Sequence, residues 1–488
     1  MSTVSIPDNL VVSGEHVAAL RAKPLGIGFK TAYGVGQTVD SVSTVILNTF
    51  LFFYVTTVCG LSGSLTGIAL FLALGIDAIA DPVVGSISDN LSTRWGRRLP
   101  LMAISLLPIA VSMGLLFSVP HFASQMALFC YVLACLTSLR VSLSGFIIPN
   151  YGLGAELSDD YDERSSIVAF RAIFGIVTTL VGFVLGFQLF LRGPNGLLNR
   201  AAYAPFGWTT GVLMLAGGAL CIYASLSALP RLLEPVRSQH GLLRRFLGEV
   251  VEVFRNPSFR YLFAGVLIFF VGQGVFLTLS LHAYKYFWGL NVATIQLVSI
   301  DNVLGLALGL PLAFLLIGRV EKKSVVITGI VVVCLCETLP AFLNLMGFTL
   351  GNAQAARDIL LVAMLIGGMF TTLVAIAFQS AMADAVDEHE ALFAARREGL
   401  YFASLSFANK AALGLGSLVS GILLDAIHFP GAAIAAGRHV AIGKGILHAL
   451  GVAYGPGAAL ITVVSVLCFS FYRLNRAEHT AIRARLGR

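Results

Sequence analysis

The chain has 488 residues, of which 57% are hydrophobic and only 12% are charged, and its mean hydropathy is +0.86. A soluble globular protein carries about twice that share of charged residues, so the composition argues against a soluble protein. The formal net charge of +7 does not require a nucleic-acid partner, because short basic loops can lie against an anionic membrane surface.

Twelve apolar segments follow one another along the chain, and each is long enough to cross the roughly 30 Å hydrocarbon core of a bilayer. The segments cover residues 29–58, 62–88, 100–119, 124–154, 167–191, 205–228, 260–286, 293–318, 325–348, 357–386, 400–426 and 445–472. They predict an all-α integral membrane protein with twelve transmembrane helices. Lys and Arg outside the segments fall predominantly on the side of both chain ends, which predicts cytoplasmic termini and a location in the cytoplasmic (inner) membrane.

The longest polar stretch between apolar segments, residues 229–259, divides the chain in the middle. Its spaced Leu, Phe and Val residues predict an amphipathic helix on the membrane surface within this central cytoplasmic loop. Six segments lie on either side, so we predict an N-terminal bundle over 29–228 and a C-terminal bundle over 260–472. Residues 1–28 and 473–488 are predicted cytoplasmic tails.

Two acids lie inside the second apolar segment. Asp77 and Asp81 are four residues apart, which places both carboxyl groups on one face of a helix. Carboxylates are costly in hydrocarbon and are therefore functional candidates. Two like charges this close need a proton, a cation or a basic side chain between them. A structural ion pair between helices would meet that need, but the pattern favours a binding site for a coupling cation.

Three basic residues, Arg140, Arg171 and Lys410, lie inside other predicted spans. A charge there must face the bundle interior or an aqueous cavity. The acid pair, Asp40 or Asp301 can neutralise these groups. If they do not, the pocket becomes positive and favours a carboxylate, sulfonate or phosphate on the solute, because a guanidinium binds such groups through two hydrogen bonds.

Charged residues near the cytoplasmic ends of the spans predict a gate. The candidates are Arg94, Arg97, Arg98, Asp384, Asp387, Arg396 and Arg397. We expect the two acids to pair with the last two arginines or with the basic loops. Such an ion-pair cluster would break when the cytoplasmic side opens.

The stretch DAIADPVVGSISDNLSTRWGRRLP, residues 77–100, resembles the signature of the glycoside–pentoside–hexuronide:cation symporters. The stretches 28–62, 148–175 and 380–410 resemble the same family in the same order. Short basic loops after the second and eighth spans, SDNLSTRWGRRLP and GRVEKKSVV, indicate two related halves. The resemblance implies the major facilitator fold, in which two six-helix halves alternately open a central site to either side of the membrane.

The resemblance also implies roles for particular residues. Asp77 and Asp81 match the family's cation-binding acids, which would be metal ligands if the coupling ion is Na⁺. Ser144 and Lys410 match residues beside that pair, and Arg171 matches an arginine near the sugar pocket. The remaining substrate-binding candidates are Asp40, Ser41, Arg140, Ile147 and Lys410. Ser41 and Ile147 replace two acids that contact sugar hydroxyls in galactoside-binding members, and Ala80 replaces an asparagine linked to sodium selectivity.

These observations predict a symporter that uses H⁺ or Na⁺ to import a glycoside-like or anionic sugar solute by alternating access. A transporter of lysolipid or another amphipathic anionic or zwitterionic solute on the same fold is the alternative. A membrane scaffold would not need the intramembrane charges. An enzyme is not expected, because no Ser–His–Asp grouping, zinc motif or phosphate loop occurs in a plausible context. We expect a monomer with no cofactor beyond the coupling ion.

Overall fold

A computed structural model describes residues 24–91, 93–231, 252–348, 352–393, 395, 397–438, 441–472 and 474–486. These residues are almost entirely helical. The α-helices are α1 (Ile27–Gly34), α2 (Gln37–Ile46), α3 (Gly63–Asn90), α4 (Leu99–Leu116), α5 (Gln125–Glu156), α6 (Tyr161–Phe183), α7 (Arg200–Leu226), α8 (Pro257–His282), α9 (Val292–Ile317), α10 (Lys322–Leu345), α11 (Ala353–Phe393), α12 (Glu398–Ala426), α13 (Gly431–Ala435), α14 (Lys444–Val452), α15 (Ala458–Ser470) and α16 (Arg476–Arg485). The predicted amphipathic helix of the central loop lies largely outside the described residues.

Eleven helices in the described part of the chain are long and apolar enough to cross a membrane. This confirms the prediction of an all-α, multi-pass membrane protein. The first predicted span is not among the eleven, because it is interrupted. It consists of α1, α2 and two π-helical turns, Leu47–Leu51 and Tyr54–Val58. At the break between α1 and α2, Gly36 lies against α7, where a Cβ would come within 2.6 Å of Sγ of Cys221.

The two ends of the helical bundle carry different loops. One end, called here the basic end, carries residues 24–26, 93–98, 318–321 and 474–486. The other, called here the opposite end, carries residues 59–62, among others.

Helices α3 and α12 join the two halves of the molecule. They run antiparallel and approach closely at glycines, since a Cβ on Gly421 would lie 2.1 Å from the backbone oxygen of Gly63. Small residues permit such close packing of membrane helices. Asp425 strengthens the contact at the opposite end, where its carboxylate accepts hydrogen bonds from the backbone N–H groups of Gly63 and Ser64 at 2.8 and 2.7 Å. The halves also meet where α6 contacts α9.

A buried histidine forms another contact between the halves at the opposite end. Nε2 of His282, at the end of α8, lies 3.1 Å from Oγ1 of Thr56 and 2.9 Å from Oγ1 of Thr57. The ring packs against Phe53 and Phe429. The helix thus carries this histidine into the interior of the protein.

Candidate functional site

Asp77 and Asp81 lie one turn apart on α3, on the face that contacts α5 and α12. Asp77 is buried, with 4% of its surface exposed, and Asp81 is half-buried. Pro82 follows immediately, and because proline has no N–H it leaves a carbonyl of the preceding turn without its helical partner. The pair therefore lies in a locally polar part of an apolar helix.

Ser144, on α5, bridges the two acids. Its Oγ lies 2.8 Å from Oδ1 of Asp77 and 2.7 Å from Oδ1 of Asp81. A hydroxyl has one proton to donate and can accept another hydrogen bond. It can therefore satisfy one carboxylate directly, whereas its contact with the other becomes a hydrogen bond only when that carboxyl carries a proton.

Lys410, on α12, approaches the same pair from the C-terminal half. Its Nζ lies 2.9 Å from Oδ2 of Asp77 and also pairs with Oδ2 of Asp81. We call Asp77, Asp81, Ser144 and Lys410 the acid-pair cluster. The sequence predicted all four as neighbours, and the structure brings them together from three helices of both halves.

Arg140 lies on α5, one helical turn from Ser144, and its Nε is buried without a hydrogen-bond partner among the described residues. Ser144, one turn along the same helix, contacts both Asp77 and Asp81, so the acid pair lies close to this guanidinium. The preference for an anionic solute stays a prediction.

Arg171, on α6, belongs to a polar network with α2 and α5. Its Nη2 donates to Oε1 of Gln37 at 3.1 Å, and its guanidinium stacks 4.0 Å from the ring centre of Tyr151. Gln37 and Tyr151 in turn donate to the same oxygen of Asp40, at 2.8 and 2.9 Å. The network connects Arg171 to Asp40 through two neutral side chains.

A cavity of about 540 Å³ lies between the halves, within the size range of small-molecule sites. Hydroxyl, amide and carboxyl groups line it together with aromatic rings. Its polar lining residues are Asp40, Ser41, Thr44, Asn48, Thr49, Thr179, Gln273, Ser280, Ser299, Asn302, Glu337, Thr371 and Asn409, and its aromatic ones are Phe183, Phe270, Phe276 and Tyr284. Among the predicted substrate-binding residues, Asp40 and Ser41 line this cavity. Arg140, Ile147, Arg171 and Lys410 are not part of its wall.

Sequence reasoning missed the cavity's contribution from the C-terminal half. The most informative omission is Glu337, an acid inside the predicted span 325–348. The rule that singled out Asp77 and Asp81 applies equally to it, because an acid within a membrane span is a functional candidate. Gln273 and Asn302 are uncharged amides and gave no comparable signal.

At the basic end of the N-terminal half, Glu156 holds two arginines of the predicted gate. Its Oε1 accepts from Arg97 at 2.5 Å and from Arg98 at 2.6 Å. Arg98 also pairs with Asp89 at 3.3 Å. Arg94 instead stacks its guanidinium 5.4 Å from the ring centre of Trp95. Glu156, at the end of α5, was not predicted.

The C-terminal half has a corresponding pair at the basic end. Nζ of Lys322, after the loop between α9 and α10, lies 2.7 Å from Oδ2 of Asp384 on α11. His479 of α16 approaches both Asp384 and Asp387, at 3.5 and 3.1 Å. The expectation that these acids pair with the basic loops therefore holds for Asp384, and sequence reasoning missed His479.

The remaining gate candidates are Arg396 and Arg397. Arg397 lies 3.5 Å from Oε2 of Glu252, and Arg396 lies outside the described residues. The hydroxyl of Tyr472 donates to the backbone oxygen of Ala381 at 3.4 Å.

Comparison with known proteins places this arrangement in a family. The family described as MFS/sugar transport protein matches residues 32–476. The chain belongs to this family. The resemblance to glycoside–pentoside–hexuronide:cation symporters and the prediction of a symporter on the major facilitator fold are thereby confirmed at the family level.

Individual relatives match different shares of the chain. An uncharacterized symporter of Synechocystis is 26% identical, with 96% of this chain and 98% of the relative covered. An isoprimeverose transporter of Lactiplantibacillus pentosus is 24% identical over 81% of this chain and 79% of its own length. A sodium-dependent lysophosphatidylcholine symporter of Gallus gallus is 28% identical over only 34% of this chain and 31% of its own length. The solved nucleoside transporter NupG shares the fold, with a TM-score of 0.63, 15% identity, and 92% of this chain and 100% of that chain covered.

Proposed function

We propose that the protein is a cation-coupled symporter that imports a hydroxyl-rich solute of the sugar class. The observation that carries this proposal is the acid-pair cluster, in which Ser144 and Lys410 converge on two intramembrane carboxyl groups. Beside it, the cavity offers amide and hydroxyl groups together with aromatic rings, which suit the polar edges and apolar faces of a sugar.

The coupling ion in this proposal is a proton. A proton on Asp77 or Asp81 completes the second hydrogen bond to Ser144 and removes one of two adjacent negative charges. A sodium ion needs several oxygen ligands, and Ala80 supplies no side-chain oxygen next to the pair. Sodium coupling is the outcome that an ion-replacement experiment would reveal instead.

Coupling follows from the position of Lys410. Its ammonium group occupies the space between the acids, so a proton on the pair weakens the ion pairs that join α12 to α3. Because these helices belong to different halves, ion binding changes the contact that must rearrange during alternating access. The charged residues at the basic end, including Arg97, Arg98 and Asp384, would serve as a cytoplasmic gate.

The topology in this proposal comprises twelve spans, the first being the interrupted segment from α1 to Val58. The N-terminal bundle covers 29–228 and the C-terminal bundle covers 260–472. Both tails and the central loop lie in the cytoplasm. The protein is a monomer in the inner membrane. The bias of Lys and Arg toward the basic end supports this orientation.

The experiment that tests the proposal is binding followed by transport. The purified protein is screened by thermal shift against neutral glycosides, uronides and lysophospholipids. The ligand that stabilises it is then used for uptake into proteoliposomes with and without an inward proton gradient. Stabilisation by a glycoside and uptake driven by the gradient are expected. Stabilisation by lysophospholipid alone would favour the alternative, which the local similarity to a lysophosphatidylcholine symporter supports.

A further inference from the structure

Glu337 is a buried acid in the C-terminal half that the coupling scheme above does not use. It lies on α10, with 4% of its surface exposed, inside a helix apolar enough to cross the membrane. A carboxyl group in such a place is costly unless it has partners. The hydrogen-bond partner of one carboxyl oxygen of Glu337, and the absence of a partner for the other, indicate the role of this residue.

One carboxyl oxygen of Glu337 accepts a hydrogen bond, and the other has no hydrogen-bond partner among the described residues. Nε2 of Gln273, on α8, donates to Oε1 at 2.7 Å, whereas Oε2 is buried without a hydrogen-bond partner among the described residues. No Lys, Arg or His in that part of the chain forms an ion pair with Glu337. Buried polar atoms in native proteins nearly always have partners, so an orphaned carboxyl oxygen needs an explanation.

The wall of the cavity supplies that explanation. Glu337 and Gln273 both line it, together with Asp40 from the N-terminal half. Gln37 and Tyr151 both donate to one oxygen of Asp40, Oδ2. Within the described residues no basic side chain lines the cavity, so its charged groups are acids, and Glu337 is the acid with a buried oxygen that has no partner.

We propose that Glu337 is a solute-binding residue whose free oxygen accepts a hydrogen bond from an O–H or N–H group of the transported molecule, with Gln273 fixing its orientation. The inference rests on the proposed function, since it assigns part of the solute site. It also gives that site a preference: a solute with a hydrogen-bond donor at this point satisfies the free oxygen. An ammonium group there would bind more strongly than a hydroxyl, because it stabilises the ionised carboxylate and charge-assisted hydrogen bonds are the stronger class.

The first test compares matched solutes. Methyl glucoside, methyl 2-amino-2-deoxyglucoside and methyl glucuronide are titrated into the purified wild type and into Glu337→Gln. The substitution keeps the oxygen that Gln273 contacts and replaces the free one by NH₂. We expect affinity to fall by about ten- to a hundredfold for the amino sugar and by about three- to tenfold for the glucoside, while the glucuronide binds no worse.

The matched control is Asp301→Asn. Asp301 is another intramembrane acid of the C-terminal half with an unpartnered oxygen, but it does not line the cavity. It should change all three affinities by less than about twofold. Equal changes for the three solutes in Glu337→Gln, no change, or loss of proton coupling with unaltered binding would each overturn the assignment.

A second test does not depend on the identity of the solute. Cys336 lines the cavity beside Glu337. Its modification by a cationic and an anionic methanethiosulfonate reagent, which forms a mixed disulfide with the thiol and releases methanesulfinate, is followed by mass spectrometry at pH 8, with Cys336→Ser identifying the signal. A carboxylate in the cavity should favour the cationic reagent by roughly fivefold, and Glu337→Gln should remove most of that preference.

The two tests separate the two claims. If none of the three solutes binds the wild type, that result counts against a sugar-class substrate, and the ratio of Cys336 modification by the two reagents alone decides the role of Glu337. A ratio that is the same in wild type and Glu337→Gln overturns the subsite whatever the substrate is.

Discussion

Lys410 and Asp77 connect the two halves of the transporter through an ion pair, with Nζ 2.9 Å from Oδ2. The same ammonium group pairs with Asp81, so it stands where a free cation would otherwise lie between the acids. Around this pair, α3 and α12 approach at glycines and have little room for adjustment. A change of charge at the pair therefore acts directly on the contact between the halves.

Neutralising either acid should uncouple transport. In Asp77→Asn or Asp81→Asn, the pair can no longer take up and release a proton, so we expect concentrative uptake to disappear. Exchange of solute at equal ion concentrations should persist, because it does not require net ion movement. Uptake and exchange in proteoliposomes distinguish these outcomes. Accumulation at the wild-type level in both variants would show that the cation is bound elsewhere.

Replacing sodium should have little effect if a proton is the coupling ion. An inward pH gradient should drive uptake in choline buffer containing negligible Na⁺, and a protonophore should abolish it. Ser144→Ala should weaken this response, because one proton-dependent hydrogen bond to the pair is lost. Strict dependence on added Na⁺ at a clamped membrane potential would assign the site to sodium instead.

The acid-pair cluster was predictable because charged residues inside apolar segments stand out in any sequence, and the family signature named their neighbours. The position of Arg140 and Arg171 outside the wall of the cavity was not, because which side chains face a cavity depends on how helices pack. The interruption of the first span was not predictable either. Its two π-helical turns have no characteristic hydrophobic periodicity, so the sequence reads as one continuous apolar segment. Glu337 could have been found by the rule used for Asp77, but its role depends on a cavity that only the fold defines.

Arg140 should have a structural role, so its substitution should lower the stability of the protein and leave its selectivity between solutes unchanged. Arg140→Gln removes a half-buried guanidinium that lies near the acid pair and outside the cavity wall, and losing a cation beside two carboxyl groups is destabilising. We expect a marked fall in thermal stability, with the ratio of glucoside to glucuronide affinity unchanged. Arg171→Gln is the comparison, because Arg171 is held by the neutral Gln37 and Tyr151 and should destabilise less. Selective loss of glucuronide binding in either variant would restore an anion-binding role.

Two ion-pair clusters lie at the basic end, Glu156 with Arg97 and Arg98 in the N-terminal half and Asp384 with Lys322 in the C-terminal half. They should contribute differently to the free energy of unfolding. Glu156 holds Arg97 and Arg98, and all three side chains are at most 21% exposed, so Glu156→Gln leaves two half-buried cations without this partner. We expect the free energy of unfolding in mixed micelles to fall by about 3 kcal/mol.

Asp384→Asn should cost less, about 1–2 kcal/mol, because its partner Lys322 is 29% exposed and can be solvated. Asp358→Asn serves as the control, since its pair with Arg357 is exposed on both sides and should contribute less than about 0.5 kcal/mol. If the two cluster variants also raise the rate of solute efflux at equal ion concentrations, the clusters act as a gate. If they lower stability with no change in either efflux or uptake, they only hold the basic-end loops in place.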